Sequence, residues 1–379
     1  MTSRQRSAPE ARLRVHVART IGDRRKILVA LSGGLDSVVL LHLLRFPIRT
    51  ELVAAHFDHA MRPDSALDAS WVSGLCRAWD VGLETARAAD PPESEATARE
   101  MRYAFLFAAA ERLGADAVLT AHHADDQAET VLFRLARGTG LPGLAGIPVR
   151  RGILVRPLLA FTRAELEEYA AQYRLAWRED PGNRSLRFAR NRIRHCVLPE
   201  LERARPGATR RIARLAQAAA AAERGWRSVI AVAVDDVVEH RDEGGFVLAR
   251  ERLLAYDPHI RARVLRHLLE RLDSRPDRAG TRSAVTFIRS GMSGTGVELP
   301  GGVRLEREFD SLHLRTARAE AQQQDVALRI ADAGPGSGRF VAGGRKYAAR
   351  WAPAGHVVPA GYAASFDPSS LRFPLELRA

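Results

Sequence analysis

Residues 26–46 read KILVALSGGLDSVVLLHLLRF, and this stretch is the strongest indicator of the fold. The apolar run from Lys26 to Leu31 predicts a buried strand, and the apolar residues 38–44 predict a helix. The polar turn SGGLDS, residues 32–37, lies between them. A strand, a glycine-containing turn and a helix in this order direct backbone N–H groups towards an anion. We therefore expect a phosphate-binding site at the turn.

The turn has the residue types that an anion site needs. Its glycines allow the backbone to approach a phosphate without a Cβ atom in the way, and its serines add hydroxyl donors. The predicted nucleotide-binding residues are Ser32, Gly33, Gly34, Leu35, Asp36 and Ser37. The alternative is a plain strand-to-helix connection in which Ser and Asp cap the helix. Since no Gly-Lys-Ser/Thr ending follows, the turn is not a Walker loop.

The SGGLDS turn resembles the PP-loop of the ATP pyrophosphatase superfamily. This resemblance implies an enzyme that splits ATP between its α and β phosphates and leaves AMP on an activated substrate. The motif by itself does not separate GMP, NAD and asparagine synthetases from tRNA-modifying enzymes. That distinction depends on the rest of the chain.

Composition indicates a polyanionic partner. The chain has 379 residues, 46% of them hydrophobic, and a formal net charge of +13. A strongly basic balance favours nucleic acid as the partner. Lys26 and Lys346 are the two lysines, so 56 of the 58 basic residues are arginines. Arginine and alanine bias is also typical of a GC-rich genome, so the net charge is the stronger indication.

Other features of the composition predict a cytoplasmic protein. Cys76 and Cys196 are far apart and form no CxxC pair, which favours reduced thiols. No apolar run reaches the length that spans a membrane, and the N-terminal residues 1–20 lack the apolar core of a secretory signal.

Strands and helices alternate from Lys26 to Tyr173. The predicted strands are 26–31, 51–57, 82–86, 116–120 and 153–158, and the predicted helices that follow them include 65–79, 94–113, 127–137 and 162–173. This alternation predicts an α/β fold, with a parallel sheet and helices on both faces. Ligands of such sheets bind at the carboxyl ends of the strands. We therefore expect the loops after the first, second and fourth strands to face one crevice.

The loop after the fourth strand, HHADDQAET at residues 122–130, is the second candidate site. Asp126 and Glu129 are three residues apart at a helix start and share one face. Acidic residues there can simply complement the helix dipole. The functional alternative is a Mg²⁺-linked carboxylate cluster beside the triphosphate, with His122 touching phosphate or substrate. Histidine with acids can also bind zinc, but a triphosphate loop favours a hard ion with oxygen ligands.

Five further segments indicate which family of this superfamily the chain resembles. They are HFDHAMRPDS (56–65), EATAREMRY (95–103), LTAHHADDQAETVLFRLARGTGLPGLAGIP (119–148), VRPLL (155–159) and WREDPGNRSLRFARNRIRHCVLP (177–199). In this order they resemble bacterial tRNA(Ile)-lysidine synthetases. The likeness is close over residues 26–199. It continues more loosely to about residue 315, through a segment at 247–270 that looks like the helical second domain of that family.

This resemblance implies a ligase with a two-step reaction. The family enzyme uses ATP to adenylate C2 of the wobble cytidine in an isoleucine tRNA with a CAU anticodon. Free L-lysine then displaces AMP and forms lysidine. The implied cofactors are ATP and Mg²⁺, and the implied partners are that tRNA and L-lysine. No membrane partner is expected, the location is cytoplasmic, and a homodimer is a candidate assembly.

The resemblance also assigns site residues. The implied catalytic residues are Asp36, Arg102, His122, Asp126, Glu129 and Arg194, and the implied Mg²⁺ ligands are Asp36 and Asp126. Arginine binds phosphate or a base with a planar fork, which suits Arg102 and Arg194. In an arginine-rich chain both are equally compatible with a solvated surface position. Weaker candidates in the same segment are Asn183, Arg190 and Asn191.

Three parts of the chain are expected. Residues 1–205 form the PP-loop catalytic domain, of the adenine nucleotide alpha hydrolase-like type. Residues 206–318 form a smaller, mainly helical tRNA-binding domain, which begins with a long linker helix at about 209–240. Residues 319–379 are a short C-terminal segment, in which 365–378 (SFDPSSLRFPLELR) resembles the opening of a third domain found in many members. We expect this third domain to be incomplete.

Other functions stay open from the sequence. A tRNA cytidine thiolase shares the SGGxDS turn and a similar acidic element, but its chemistry typically uses a cysteine pair. GMP and asparagine synthetases are disfavoured because neither a glutaminase domain nor an N-terminal nucleophilic cysteine is visible. A non-catalytic tRNA-binding protein is disfavoured by the acids at Asp36, Asp126 and Glu129.

Overall fold

The computed structural model describes most of the chain. The described residues are 8–61, 65–179, 189–242, 244–275, 277–316, 328–330, 334, 336–342, 345–351 and 375–377. The chain divides into two compact units, Met1–Gly225 and Trp226–Ala379. The division falls within one long helix, Ala208–Val237. The three-part domain division expected from the sequence stays a prediction.

The first unit is built on a six-stranded sheet. Its strands are β1 (Lys26–Ala30), β2 (Glu51–Asp58), β3 (Gly82–Arg87), β4 (Ala117–Leu119), β5 (Arg150–Arg151) and β6 (Leu154–Val155). The strand order is β3-β2-β1-β4-β6-β5. Every neighbouring pair is parallel except β5 and β6. The predicted parallel α/β sheet is therefore confirmed, with an antiparallel edge that the sequence did not indicate.

The sheet changes direction at β1. The chain first builds outwards from β1 through β2 to β3, and then returns to add β4 on the other side of β1. This reversal leaves a crevice at the carboxyl ends of β1 and β4, where doubly wound sheets bind their ligands. Both candidate loops of the sequence, 32–37 and 122–130, begin at this crevice.

Helices cover the sheet of the first unit. They are α1 (Ala8–Ile21), α2 (Leu35–Leu43), α3 (Ser65–Ala78), α4 (Glu95–Leu113), α5 (Ala124–Ala136), α6 (Leu141–Leu144), α7 (Arg163–Gln172), α8 (Ala189–Arg192), α9 (Leu198–Ala204) and α10 (Ala208–Val237). Two short π-helical segments are Leu44–Ile48 and Ile193–Val197. The Ser94 hydroxyl accepts the Thr97 N–H and caps the start of α4.

The buried strands separate two apolar layers. Ile27 and Val29 point into the larger cluster, with all of α2 except Asp36 buried around them, whereas Leu28 points to the opposite face. This alternation is the period of a strand that is covered on both sides. The fifth predicted strand is shorter than expected, since Pro157 cannot donate the hydrogen bond that would extend β6.

The second unit contains helices and an antiparallel sheet. Its sheet is formed by β7 (Val238–Asp242), β8 (Gly245–Ala249), β9 (Thr295–Leu299), β10 (Val303–Glu308) and β11 (Ser311–Thr316), in the order β7-β8-β11-β10-β9. Its helices are α11 (Arg250–Ala255), α12 (Pro258–Arg271) and α13 (Arg278–Ser290). The sequence predicts the helices of this unit and does not indicate its sheet. The missed signal is the alternation of buried Val303, Leu305, Leu312 and Leu314 with more exposed neighbours.

The remaining described strands are short antiparallel pairs. They are β12 (Leu328–Ile330) with β15 (Leu375–Leu377), and β13 (Gly336–Ala342) with β14 (Arg345–Trp351). Most of the segment 365–378 lies outside the described residues. No described helix combines the length and the apolar character that crossing a bilayer requires.

Candidate nucleotide-binding active site

The turn after β1 is held in shape by its own hydroxyl groups. Ser37 Oγ donates to the Gly34 carbonyl at 2.9 Å and lies 3.1 Å from Ser32 Oγ. Gly33 has a φ of +86°, which a residue with a side chain rarely adopts. A Cβ atom at Gly33 would also lie 3.2 Å from Val72 Cγ2. The turn therefore needs glycine for both its conformation and its packing, and α2 begins directly after it at Leu35.

Two cavities flank this turn. The first, of about 400 Å³, is lined by the ends of β1, β2 and β4 and by Arg102 of α4. The second, of about 500 Å³, is lined by Gly34, Glu129 and Arg194 among others. Ser32 and Asp36 line both cavities. Two ligands can therefore approach the same turn from different sides.

Asp36 lies where the two cavities meet. Its Oδ1 is buried and accepts no hydrogen bond from any residue that the structure describes. Its Oδ2 lies 3.5 Å from His123 Nε2 and 3.7 Å from Arg163 Nη1. A buried carboxylate oxygen without a donor is unfavourable unless a ligand completes it. Asp36 is therefore suited to bind a cation or a donor group of a ligand.

His123 connects the acids of the site. Its Nε2 is 3.5 Å from Asp36 Oδ2 and 3.6 Å from Asp126 Oδ2, and its Nδ1 is 3.3 Å from Asp125 Oδ2. Burial by itself would lower the pKa of His123, but Asp126, Asp125 and Asp36 together raise this pKa well above its ordinary value. His123 is not among the residues predicted from the sequence, although it directly follows the predicted His122.

Asp126 and Glu129 share one arginine. Arg194 Nη2 donates to Asp126 Oδ1 and to Glu129 Oε2, each at 3.0 Å, and Arg194 Nε donates to Glu129 Oε1. The other oxygen of Asp126 accepts the backbone N–H of His123 at 3.0 Å, which caps α5. Burial raises the pKa of Glu129 above its ordinary value, although Arg194 opposes this shift. The structure thus brings these three predicted residues together, with 68 positions of sequence between Asp126 and Arg194.

His122 and Arg102 lie on the wall of the first cavity. The His122 Nδ1 is 3.0 Å from the hydroxyl oxygen of Thr120, at the end of β4. Burial strongly lowers the pKa of His122; Asp126 opposes the shift, and Arg156 and Arg102 add to it. The ring is therefore neutral at physiological pH. A neutral histidine can donate or accept a single hydrogen bond, so it suits a polar contact with a ligand rather than a fixed positive charge.

A second histidine, at the end of β2, was missed from the sequence. His59 lies against Phe57, with 4.9 Å between the ring centroids, and lines the first cavity. Its Nδ1 is buried and has no hydrogen-bond partner among the described residues. Burial lowers its pKa, with Arg102 adding to the effect. This atom is a further position where a bound ligand would satisfy a polar group.

The weaker candidates differ in position. Arg190 Nη2 donates to Thr130 Oγ1 at 3.2 Å, and Arg190 Nε lies 3.7 Å from Glu129 Oε2. Arg190 therefore supports the same acid that Arg194 holds. Asn191 lies in α8, and Asn183 lies outside the described residues.

The carboxylates of Asp36 and Asp126 are the candidate ligands for a cation. The described residues contain no group of three or more His, Cys, Asp or Glu side chains arranged to hold a metal. Asp36 Oδ1 is available, whereas both oxygens of Asp126 already accept hydrogen bonds. Mg²⁺ commonly binds through one or two carboxylates together with phosphate oxygens and water. The donor set fits such an ion with Asp36 as the main protein ligand.

Comparison with known proteins agrees with this geometry. A PP-loop domain profile matches residues 9–201. The chain is 40% identical over 308 residues to a tRNA(Ile)-lysidine synthase from Thermus thermophilus, which covers 77% of this chain and 57% of that protein. It is 33% identical over 298 residues to a tRNA(Ile)-lysidine synthase from Thermotoga maritima, which covers 75% of this chain and 68% of that protein. The chain thus spans little more than half the length of the Thermus relative.

Among solved structures, the chain is similar to the U34-tRNA thiolase NcsA from Methanococcus maripaludis. The TM-score is 0.49 at 17% sequence identity, and the match covers 56% of this chain and 78% of that chain.

Proposed function

The chain belongs to the tRNA(Ile)-lysidine synthase family of PP-loop proteins, and from that premise we propose that it is an ATP-dependent ligase that makes lysidine. The proposed substrates are ATP, free L-lysine and an isoleucine tRNA with a CAU anticodon, and the proposed location is the cytoplasm. The observation that supports this best is the pair of cavities that meet at Ser32 and Asp36. A ligase with two chemical steps needs two ligands beside one phosphate site.

In the proposed first step, ATP occupies the first cavity. The O2 atom of the wobble cytidine forms a bond to the α-phosphorus, and the bond from that phosphorus to pyrophosphate breaks. The turn at residues 32–37 leads into the N-terminus of α2, where backbone N–H groups would donate to the phosphates. Arg102 supplies positive charge on the same wall, and neutral His122 supplies a hydrogen bond. If Mg²⁺ is bound, Asp36 would be its main protein ligand, with Asp126 beside it, and the ion would neutralise charge on the phosphates.

In the proposed second step, the lysine amine attacks C2. A bond forms between nitrogen and C2, the C2–O bond breaks, and AMP leaves with the oxygen. The amine must be neutral to attack, so it loses a proton to a nearby carboxylate, for which Asp126 and Glu129 are the candidates. The second cavity contains acids for the amines of lysine and arginines for its carboxylate, including Glu129, Arg163 and Arg194.

The proposal is tested by product analysis. Purified protein is incubated with ATP, L-lysine and a CAU-anticodon isoleucine tRNA transcript, and each component is omitted in turn. We expect pyrophosphate and AMP in equal amounts, and lysidine in a nucleoside digest analysed by mass spectrometry. A transcript with uridine in place of the wobble cytidine is the matched control and should give neither. Pyrophosphate release that needs no tRNA, or a thiolated cytidine in the digest, would contradict the proposal.

A further inference from the structure

The turn at residues 32–37 is held from outside as well as by its own hydroxyls. On one side, Val72 and Trp71 of α3 pack against Gly33, so that a Cβ atom there would lie 3.2 Å from Val72 Cγ2. On the other side, the backbone N–H of Arg178 donates to the Gly33 carbonyl at 2.9 Å. Gly33 is thus fixed between a helix and a segment that lies about 145 residues later in the sequence.

One ion pair joins these two supports. Arg178 Nε donates to Asp68 Oδ1 at 2.8 Å. Asp68 lies four residues before Val72, on the same face of α3. Its side chain is 18% exposed, against 42% for Arg178. The contacts therefore close a ring that runs from Gly33 to Arg178, to Asp68 and back through Val72.

We propose that Asp68 and Arg178 are positioning residues that hold the phosphate-binding turn in its ligand-ready conformation. This inference rests on the proposed function, because it assumes that ATP binds at the turn. The side chains act through Gly33: the ion pair fixes the backbone of Arg178, and that backbone fixes the carbonyl of Gly33 at its positive φ. The N–H groups of the turn then stay directed at the outer phosphates of the nucleotide.

Whether ATP affinity rises or falls when Asp68 loses its charge distinguishes a positioning role from direct contact with ATP. Asp68 lines the first cavity. If it acted directly on ATP, removing its negative charge would strengthen the binding of a polyanion. If it acts through the turn, removing the charge weakens ATP binding. AMP has no β and γ phosphates, so its affinity should not depend on the turn.

The test is Asp68→Asn, with ATP and AMP affinities measured by titration calorimetry on the full chain. We expect ATP to bind about tenfold more weakly and AMP to bind as it does to wild type. Arg178→Gln should reproduce this result, and the double variant should be no worse than either single variant, since both remove one contact. Asp68→Glu should restore part of the affinity. Partly exposed ion pairs contribute little to folding stability, so thermal unfolding should be unchanged.

Glu84→Gln is the matched control, since it breaks an ion pair with Arg112 elsewhere in the same unit. It should leave both affinities unchanged. Tighter or unchanged ATP binding in Asp68→Asn, or equal weakening of ATP and AMP, would overturn the inference. Wild-type protein that binds ATP but makes no lysidine would contradict the proposed function and leave the positioning result intact.

Discussion

The two ends of helix α2 place histidines in opposite surroundings. His42, near the C-terminal end, is 8% exposed and lies among Phe46, Trp79, Tyr169 and Tyr173. Its Nδ1 is 2.8 Å from the Tyr169 hydroxyl. His123, beside the N-terminal end at Asp36, is 4% exposed and lies among three carboxylates. The two histidines are thus buried to a similar extent, but His42 has aromatic neighbours and His123 has acidic ones.

The pKa values of these histidines move in opposite directions. Burial lowers the pKa of His42 to about 4, because the attraction of Glu10 offsets only part of the desolvation cost. At His123 burial acts in the same direction, but Asp126, Asp125 and Asp36 outweigh it and raise the pKa. A sealed aromatic environment indicates a structural role, whereas a concentration of charge beside open cavities indicates a chemical one.

The largest expected loss of activity is at the N-terminal end of α2, where Asp36 and His123 lie; we call this the charged end. Asp36→Ala should reduce tRNA-dependent pyrophosphate release by about a thousandfold or more, because it removes the acid that lines both cavities beside the proposed phosphate site. Thermal unfolding should change little. The matched control is His42→Gln at the other end of α2, which should retain turnover. Near-normal activity of Asp36→Ala would exclude a role for this acid in the reaction.

The next effect concerns the arginine of the charged end. Arg194→Ala should slow lysidine formation by about a hundredfold, while ATP affinity stays close to wild type. The substitution leaves the buried Glu129 without its two-pronged partner, so the pKa of Glu129 rises further. Arg194→Lys keeps the charge but loses the fork and should recover only part of the rate. ATP affinity and lysidine formation are measured on one protein preparation. If ATP binding is lost while the tRNA-dependent step stays normal, Arg194 binds the nucleotide and does not act on the tRNA.

A smaller effect is expected at the C-terminal end of α2, where His42 lies among aromatic rings. It is measured as the pH dependence of folding stability. Because the folded pKa of His42 lies below the ordinary value of 6.5, the unfolded chain binds the proton first as pH falls. Stability should therefore decrease between about pH 6.5 and pH 4. His42→Gln should lose less stability than wild type between pH 7 and pH 5, by about 2 kcal/mol, in urea unfolding at the two pH values. Parallel pH profiles of the two proteins would show that His42 carries no such linkage.

The smallest effect is expected at the cysteines. Cys76 lies in the same apolar cluster as α2, and burial raises its pKa to about 11, so it stays a thiol. Cys196 is exposed. Cys76→Ala combined with Cys196→Ser should keep lysidine formation within about twofold of wild type. Loss of activity in a folded double variant would favour the thiolase alternative instead.

Local features of the sequence were sufficient to predict the turn at residues 32–37 and the parallel sheet of the first unit. The glycines and hydroxyls of residues 32–37 adjoin each other, and the two serine hydroxyls hold the turn through contacts with residues of the turn itself. The alternation of strands and helices similarly predicts the parallel sheet, because a helical crossover between two strands lets them run in the same direction. The resemblance of five segments added the family, which the comparisons confirm.

Other features depend on contacts between distant residues. The sequence selected Asp126 and Glu129 by their helical spacing, but their partner Arg194 comes from a segment more than 60 residues later, and only the resemblance pointed to it. His123 had no periodicity or spacing to distinguish it. In the second unit's sheet, the pairing of β8 with β11 joins strands that helices α11 to α13 separate along the chain, so sequence patterns alone do not indicate it.

The sequence by itself determined the chemistry available at the turn, since glycine conformation and serine hydroxyls are properties of adjacent residues. Only the tertiary structure decided which charges surround that turn. It brought Arg178 to Gly33, and His123 between Asp36 and Asp126. The physical reason is that a pKa or a backbone conformation depends on groups within a few ångströms in space, and these groups are encoded far apart along the chain.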